Sequence, residues 1–253
     1  MNLLLRTILE YNRAEPKAFI EEVLLPFLDD RGLDYEVDVH YNVYVGNGDT
    51  SKDLYIAHTD TCDRVDTPRL KFVDTIDVEA GDLIAYLPTS NHRCLGADDG
   101  AGVYILLSLI DANVDGRYLF TTGEEKGLIG MRYWMSIPYN VESLVGVENC
   151  YEFDRQGEHE IIVVQSGQQM ADYDEAFKLS EELCACGLEL YPSSQGVYTD
   201  NIELWGIVPN VYNIAVGYQS QHTPNEWLNV TFVEKLLGAW LILKGCTPYG
   251  YDF

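Results

Sequence analysis

The amino-acid sequence predicts an α/β fold in which helices cover a layered sheet, and two observations carry this prediction. Short apolar runs rich in β-branched and aromatic residues alternate along the chain with longer segments of helical periodicity. Hydrophobic residues make up 47% of the 253 residues and charged residues make up 23%, a mixture typical of globular proteins that excludes a largely disordered chain. The chain is therefore long enough and apolar enough to enclose a sizeable core.

The order of the elements follows from the hydrophobic periodicity. Four segments carry apolar residues at helical spacing, and they are residues 2–31 (with a break at Ala14-Glu15-Pro16), 103–110, 174–186 and 231–244. Six segments have the alternating or continuous apolar pattern of strands, and they are residues 34–45, 54–57, 118–121, 144–147, 161–164 and 211–216. The pair Asn47-Gly48 predicts a turn. The sequence contains no evident internal repeat or linker, so we expect one domain over residues 1–253.

The chain is strongly acidic. It has 16 Lys and Arg residues against 41 Asp and Glu residues, which gives a formal net charge of −25 at pH 7. This charge repels phosphate groups, so we expect neither nucleic acids nor anionic membranes as partners. An acidic chain can carry its carboxylates on a solvated surface or gather them around metal ions. Composition does not separate these two cases, whereas the positions of the acids do.

The cysteines and the N-terminal segment indicate the cellular compartment in which the protein resides. The six cysteines are scattered and form no CxxC pair, which favours a reducing environment. The apolar N-terminal segment is short, is interrupted by Arg6, Glu10 and Arg13, and has no small-residue cleavage site, so we interpret it as an amphipathic helix and not as a signal peptide. No part of the sequence approaches the about 18 uninterrupted apolar residues of a membrane span. We therefore expect a cytoplasmic protein.

Polar residues cluster where predicted strands end or where helices begin. Five such segments occur, and they are His58-Thr59-Asp60, Gly96-Ala97-Asp98-Asp99-Gly100, Gly123-Glu124-Glu125-Lys126-Gly127, Phe153-Asp154-Arg155 and Gln221-His222-Thr223-Pro224. In α/β sheets, ligand sites form beyond the carboxyl ends of the strands. Imidazole and carboxylate groups are ligands suited to zinc. These segments therefore predict a metal site at one edge of the sheet.

Each segment taken alone has an ordinary structural explanation. His58 can be a hydrogen-bonded histidine at a strand end, and Asp98 and Asp99 can cap a helix. Glu124 and Glu125 can be solvated turn residues. The order, spacing and glycine framing of all five segments together favour the metal site.

Taken in order, the five segments resemble the motifs of a known superfamily, the co-catalytic di-zinc exopeptidases. This superfamily includes the bacterial leucyl-type aminopeptidases, tripeptidase and carboxypeptidase relatives, and several amidohydrolases. The resemblance extends from about residue 42 to about residue 229. It implies a three-layer α/β/α fold with a central, mostly parallel mixed sheet. It also implies two zinc ions, for which cobalt or manganese could substitute.

The resemblance further implies a role for each residue. The implied ligands are His58 and Asp154 for one zinc ion, Glu125 and His222 for the other, and Asp98 as the bridge between them. Asp60 would orient the ring of His58, as metal-bound histidines require, and Glu124 would be the general base. A cis peptide bond is expected between Asp98 and Asp99.

The charges of these groups agree with such a site. Two zinc ions carry four positive charges and the three ligand carboxylates carry three negative charges, so the remaining positive charge favours a hydroxide between the metals. A zinc ion can lower the pKa of bound water from 15.7 to about 7, which supplies a nucleophile near neutral pH. Glu124 would take a proton and pass it to the leaving amine. Adjacent glutamates in a tight turn can point in different directions, so Glu125 can bind metal while Glu124 acts as the base.

The motif spacing leaves no room for an inserted domain. Some relatives carry a lid or dimerisation domain of roughly a hundred residues. Only 38 residues separate Asp60 from Asp98, and 68 separate Asp154 from His222. We therefore expect a single catalytic domain without an inserted lid or dimerisation domain.

Two further residues are candidates for substrate binding. In the absence of a lid, the hydroxyl of Tyr198 could stabilise the oxyanion, although an ordinary packing role explains it equally well. Asp200 could receive a substrate amine, support the metal ligands or cap a turn.

These features together predict a zinc-dependent metallo-exopeptidase, and an aminopeptidase is the simplest form. One alternative is an N-acyl amino acid deacylase or a carboxypeptidase on the same metals, with an N-acyl amino acid or a peptide as substrate. A second is glutaminyl-cyclase-like chemistry at a single zinc ion. A third is a metal-free binding protein that has kept the fold, although retention of all the ligands and of Glu124 argues against it. The sequence does not specify the oligomeric state.

Overall fold

The computed structural model describes residues 1–47, 50–78, 81–88 and 91–246, and it has the predicted α/β architecture. Eight strands, numbered in chain order, form the main sheet. In spatial order they are β1 (Glu36–Val37), β2 (Val43–Asn47), β6 (Gly116–Thr121), β3 (Asp53–His58), β7 (Asn149–Arg155), β12 (Asn210–Ala215), β8 (Glu160–Ile162) and β11 (Tyr191–Ser193). A separate hairpin pairs β9 (Val164–Gln165) with β10 (Gln168–Gln169).

Helices connect these strands. They are α1 (Leu3–Glu10), α2 (Lys17–Phe19), α3 (Leu25–Asp29), α4 (Ala97–Asp111), α5 (Ile129–Met135), α6 (Pro138–Glu142), α7 (Tyr173–Ala185) and α8 (Val230–Leu243). A π-helical turn, Ile20–Leu24, joins α2 to α3. Short 3-10 helices at Glu124–Lys126 and Asp200–Leu204 follow β6 and precede β12. The predicted helices 103–110, 174–186 and 231–244 are thus confirmed to within a few residues, apart from the earlier start of α4.

The centre of the main sheet is parallel. Strands β6, β3, β7 and β12 lie side by side and run in the same direction. The carboxyl ends of these strands therefore meet at one edge, where His58 lies opposite Thr121 and Arg155 lies opposite Ala215. Strand β2 pairs antiparallel with β1 and β6, and β8 pairs antiparallel with β12 but parallel with β11, so the sheet is mixed.

Both faces of the main sheet are covered, and β3 shows how. Successive side chains of a strand point to opposite faces. Tyr55 and Ala57 lie in the larger apolar core together with side chains of α1, α4, α7 and α8. Leu54 and Ile56 lie in a second core with side chains of α5. The sheet between two helical layers confirms the predicted three-layer arrangement.

Three predicted strands differ from the structure. Residues 34–45 form an antiparallel hairpin, β1 and β2, because the carboxylate of Asp38 accepts hydrogen bonds from the N–H groups of His40 and Asn42 and reverses the chain. Residues 144–147 form a turn before β7, although the apolar side chains at both ends are buried. Residues 161–164 divide between β8 and β9. The predicted Asn47-Gly48 turn includes Gly48, which lies outside the described residues.

A four-stranded antiparallel sheet was not predicted. It has the order β13 (Tyr218–Gln219), β14 (Trp227–Asn229), β5 (Leu83–Tyr86) and β4 (Asp74–Asp77). Its strands are short, and β4 and β13 offer little apolar alternation. That residues 1–253 form one domain without an inserted lid stays a prediction. None of the helices in the described ranges is long and apolar enough to cross a membrane.

Candidate metal centre

Three parallel strands and two further segments bring the predicted ligands together. The ligands lie at the end of β3 (His58), at the start of α4 (Asp98), in the turn after β6 (Glu125), near the end of β7 (Asp154) and in the loop between β13 and β14 (His222). Gly96 and Gly123 precede two of these segments with φ of 78° and 72°. This left-handed conformation favours glycine, which explains the glycine framing of the motifs.

The first ligand group surrounds His58. Its Nε2 atom lies 2.9 Å from Asp98 Oδ1 and 3.7 Å from Asp154 Oδ1. One donor atom from each residue lies within 4.8 Å of the other two, which is the arrangement needed to hold a metal ion. The three side chains are almost completely buried, so water alone does not solvate their charges.

The second ligand group surrounds His222. Its Nε2 atom lies 2.9 Å from Glu125 Oε1 and 3.1 Å from Asp98 Oδ2. Cys62 joins this group, because its Sγ lies within 4.8 Å of the donor atoms of Glu125 and His222. The backbone of His222 is left-handed, with φ of 61°. Non-glycine residues in that conformation concentrate at functional sites.

Asp98 connects the two groups. One carboxylate oxygen faces His58 and the other faces His222, as the bridging role requires. The peptide bond between Asp98 and Asp99 is cis, which confirms the expectation. Glu226 fixes this segment, since its carboxylate accepts hydrogen bonds from the backbone N–H groups of Gly96 at 2.9 Å and Asp98 at 3.0 Å. Sequence reasoning did not identify Glu226.

Asp60 contacts the ring of His58 mainly through its backbone. The backbone carbonyl of Asp60 accepts the hydrogen bond from His58 Nδ1 at 3.0 Å, and the carboxylate Oδ1 lies 3.6 Å from the same nitrogen. The same Oδ1 accepts a hydrogen bond from the backbone N–H of Glu124 at 3.2 Å. Asp60 therefore contacts both a ligand and the expected general base.

Two side chains that the sequence did not indicate hold Asp154. Thr199 donates its hydroxyl to Asp154 Oδ2 at 2.9 Å, and Tyr218 donates its hydroxyl to Asp154 Oδ1 at 3.0 Å. Each carboxylate oxygen thus has a hydrogen-bond donor, which fixes the orientation of the group toward His58.

Burial and the neighbouring charges shift the pKa values of the predicted ligands. Burial and the neighbouring Asp98 carboxylate raise the pKa of Asp154 to about 8. Burial also acts to raise the pKa of Asp98, but contacts from His222 and His58 outweigh it and hold that pKa well below its usual range. Close contacts with the carboxylates of Asp98 and Glu125 raise the pKa of His222 to about 11. These shifts follow from the excess of buried carboxylates around the two histidines, an excess that bound cations would balance.

Glu124 has the environment of a tuned acid or base. Burial raises the pKa of Glu124 to about 9; the positive charge of His58 opposes this shift, and the carboxylate of Asp154 adds to it. Nearby cations would lower this pKa toward neutrality, since positive charge favours the carboxylate form.

A cavity of about 240 Å³ opens onto the two ligand groups. Among the residues that line it are Asp98, Glu124, Asp154, Tyr198 and His222. The hydroxyl of Tyr198 is hydrogen-bonded to the guanidinium of Arg132, which also lies over the Tyr198 ring. Tyr198 is thus at the cavity, but its hydroxyl already has a donor.

Asp200 lies beneath the site. It begins the 3-10 helix Asp200–Leu204, is fully buried, and does not appear among the described residues that line the cavity. Burial raises its pKa to about 7. This position favours the supporting role for Asp200 over direct contact with a substrate amine.

The donor set fits divalent cations. It combines imidazole nitrogens with carboxylate oxygens, the ligand types that zinc prefers in enzymes. The second ring nitrogen of His58 donates to a carbonyl, as is usual for a metal-bound histidine. Glu125 Oε1 is buried and lies 2.9 Å from His222 Nε2 without hydrogen-bond geometry to any described residue, so a cation bound between the two would satisfy both.

Comparison with known proteins identifies the fold. No family model matches the chain, and no curated protein is detectably similar in sequence. Solved structures do match: the aminopeptidase PepT of Bacillus cereus has a TM-score of 0.70 at 15% identity, covering 94% of this chain and 95% of PepT. A tripeptidase of Staphylococcus aureus has a TM-score of 0.70 at 14% identity, covering 95% of both chains.

An archaeal peptidase is also similar. The TET1 peptidase of Pyrococcus horikoshii, which can assemble into a tetrahedron or a large octahedral shell, has a TM-score of 0.60 at 18% identity, covering 92% of this chain and 94% of that one. The fold of the present protein is therefore the one found in these peptidases, which confirms the fold that the motif resemblance implies.

Proposed function

We propose that this protein is a zinc-dependent aminopeptidase with two divalent cations at the candidate centre. The observation that carries the proposal is the position of Asp98, whose two carboxylate oxygens face the histidines of two separate ligand groups at 2.9 Å and 3.1 Å. His58 and Asp154 would hold one cation, Glu125 and His222 the other, and Asp98 both. The fold shared with PepT and the tripeptidase supports this activity.

Bound cations would polarise the substrate carbonyl and acidify the attacking water. Glu124 faces the same cavity, takes the proton of that water and delivers it to the nitrogen of the leaving amine. Asp60 holds the backbone of Glu124 and the ring of His58, so the base and the ligand keep a fixed separation. Tyr198 at the cavity wall, with its Arg132 contact, remains the candidate for contact with the carbonyl oxygen.

The cavity wall favours a substrate with a free amino group over one with a free carboxylate. Arg155 lines the cavity, but its guanidinium donates hydrogen bonds to Glu160 at 2.8 Å and 2.6 Å. Its charge is thus already neutralised by a partner, whereas carboxypeptidase specificity would need a cation for the substrate carboxylate. Among the described residues that line the cavity, Arg155 is thus not available for a substrate carboxylate, which supports the aminopeptidase over the carboxypeptidase.

A substrate panel tests this function. Amino-acyl amides and short peptides with free N-termini should be cleaved, whereas N-acetylated peptides and N-acyl amino acids should not. Glu124→Gln, purified in parallel, controls for contaminating peptidases. Equal cleavage of substrates with blocked and free N-termini would contradict the aminopeptidase activity and favour the deacylase or carboxypeptidase alternative. Fewer than about one metal ion per chain after dialysis against zinc would favour a binding protein.

A further inference from the structure

Cys62 lies in the second ligand group, and the proposed mechanism does not use it. It follows His58-Thr59-Asp60-Thr61 in the loop after β3 and is a half-buried free thiol. Its Sγ and the donor atoms of Glu125 and His222 lie within 4.8 Å of one another. Ligand atoms of one zinc ion at about 2.0–2.3 Å lie roughly 3.3–3.6 Å apart at tetrahedral angles, so side-chain movements of about 1 Å would bring the three donors onto one ion.

The geometry of Glu125 independently points to a ligand at this position. Its Oε1 lies 2.9 Å from His222 Nε2, yet the oxygen is buried and lacks a partner with hydrogen-bond geometry. The Glu125 side chain is only 8% exposed. A buried carboxylate oxygen without a hydrogen bond is costly. A metal ion bound between Glu125 and His222 would satisfy both donor atoms, so this contact supports a shared ion.

We propose that Cys62 is a ligand of the second metal ion, together with Glu125, His222 and the bridging Asp98. This inference rests on the proposed metal centre and specifies the second site as a mixed sulfur, nitrogen and oxygen site. Four side chains would then hold the second ion, and the attacking water of the proposed mechanism would occupy a fifth position, an expansion that catalytic zinc sites allow.

A thiolate at this position changes the chemistry of the site. Thiolate is a soft ligand that binds zinc in preference to manganese, so the second site selects zinc more strongly than the first, whose donors are nitrogen and oxygen.

X-ray absorption of the zinc-loaded protein tests the inference directly. A zinc–sulfur shell at about 2.3 Å is expected in the wild type. Cobalt loading should give a near-ultraviolet sulfur-to-cobalt charge-transfer band. Both signals should disappear in Cys62→Ser and persist in Cys186→Ser, a matched control in which the replaced half-buried cysteine follows α7. In Cys62→Ser the affinity for the second zinc ion should fall by at least roughly 10–100-fold, the loss typical of altered metal-site partners.

The outcomes separate this inference from the proposed function. Two zinc ions per chain with nitrogen and oxygen scatterers alone would overturn the role of Cys62 and leave the metal centre intact. Less than about one ion per chain would overturn the metal centre itself. The wild-type spectrum decides the question even if Cys62→Ser does not fold.

Discussion

The carboxylate of Asp60 accepts a hydrogen bond from the backbone N–H of Glu124 at 3.2 Å. One residue thus links the end of β3 to the turn after β6, where the proposed base lies. This contact, together with the Asp60 carbonyl on His58, makes Asp60 the support for two different functions of the site.

The Asp60 contact leads to a mutational prediction. Asp60→Asn keeps an acceptor for the Glu124 N–H but removes the negative charge near His58, so metal affinity or activity should fall by roughly 10–100-fold. Asp60→Ala removes both the acceptor and the charge, so its metal affinity or activity should fall further. Isothermal titration with zinc and steady-state kinetics measure the two effects. Wild-type zinc affinity and activity in Asp60→Ala would contradict the supporting role of Asp60.

Glu124 should be needed for turnover and not for metal binding. Glu124→Gln removes the proton acceptor while keeping the size of the side chain, so the metal content should stay at the wild-type level while kcat falls by roughly 10²–10⁴-fold. Elemental analysis and kinetics on the same preparation check both parts. Wild-type kcat in this variant would exclude Glu124 as the general base.

Loss of a ligand should instead reduce metal occupancy. His58→Ala or Asp154→Ala removes one donor from the first group and leaves a buried, partly unsatisfied site. Metal content after dialysis against limiting zinc should fall below that of the wild type. His159→Ala is the matched control, because His159 is exposed and contacts the carbonyl of Glu189. Equal metal retention in all three variants would argue against the assigned ligands.

The metal-free protein should become more stable as the pH falls from about 8.5 to 6. The pKa of Asp154 is raised to about 8 by burial and Asp98, and the pKa of Glu226 is raised to about 7 by burial and Asp98. A carboxyl group whose folded pKa is raised binds its proton in the fold before the unfolded chain does. Its stabilising contribution is therefore complete below its unfolded pKa and is lost as the pH rises through the folded pKa.

Thermal unfolding of the chelated and zinc-loaded forms measures this effect. The melting temperature of the chelated form should rise as the pH falls across this interval. The zinc-loaded form should show a smaller change or the opposite trend, because the cations replace the protons and bind more weakly at low pH. A chelated form whose melting temperature falls over the same interval would contradict the assignment.

The sequence predicts the parts of the structure that are encoded locally. The central strand β3 is a continuous apolar run, and the five motif segments carry their glycines and acids within a few residues of each other, so their positions follow from pattern alone. The turn at residues 144–147 was misassigned because it buries apolar side chains at both ends, while Gly146 adopts a φ of 84° that a strand would not contain.

Long-range contacts account for what the sequence did not reveal. Glu226 holds the Asp98 backbone from 128 positions along the chain, and Tyr218 contacts Asp154 from 64 positions away. Neither residue belongs to a motif, and each has an ordinary role when considered alone. The proximity of Cys62 to His222 likewise exists only once β3 and the β13–β14 loop are brought together.

The four-stranded sheet and its loops contribute side chains to the candidate metal centre. Tyr218 lies on β13, His222 lies in the loop that follows, and Glu226 directly precedes β14, whereas their partners Asp154 and Asp98 belong to the main body. Ions shared between Asp98 and His222 would act as a removable cross-link between the two sheets. Binding of the ions would thus also fix the position of the four-stranded sheet relative to the main sheet, in addition to its role in catalysis.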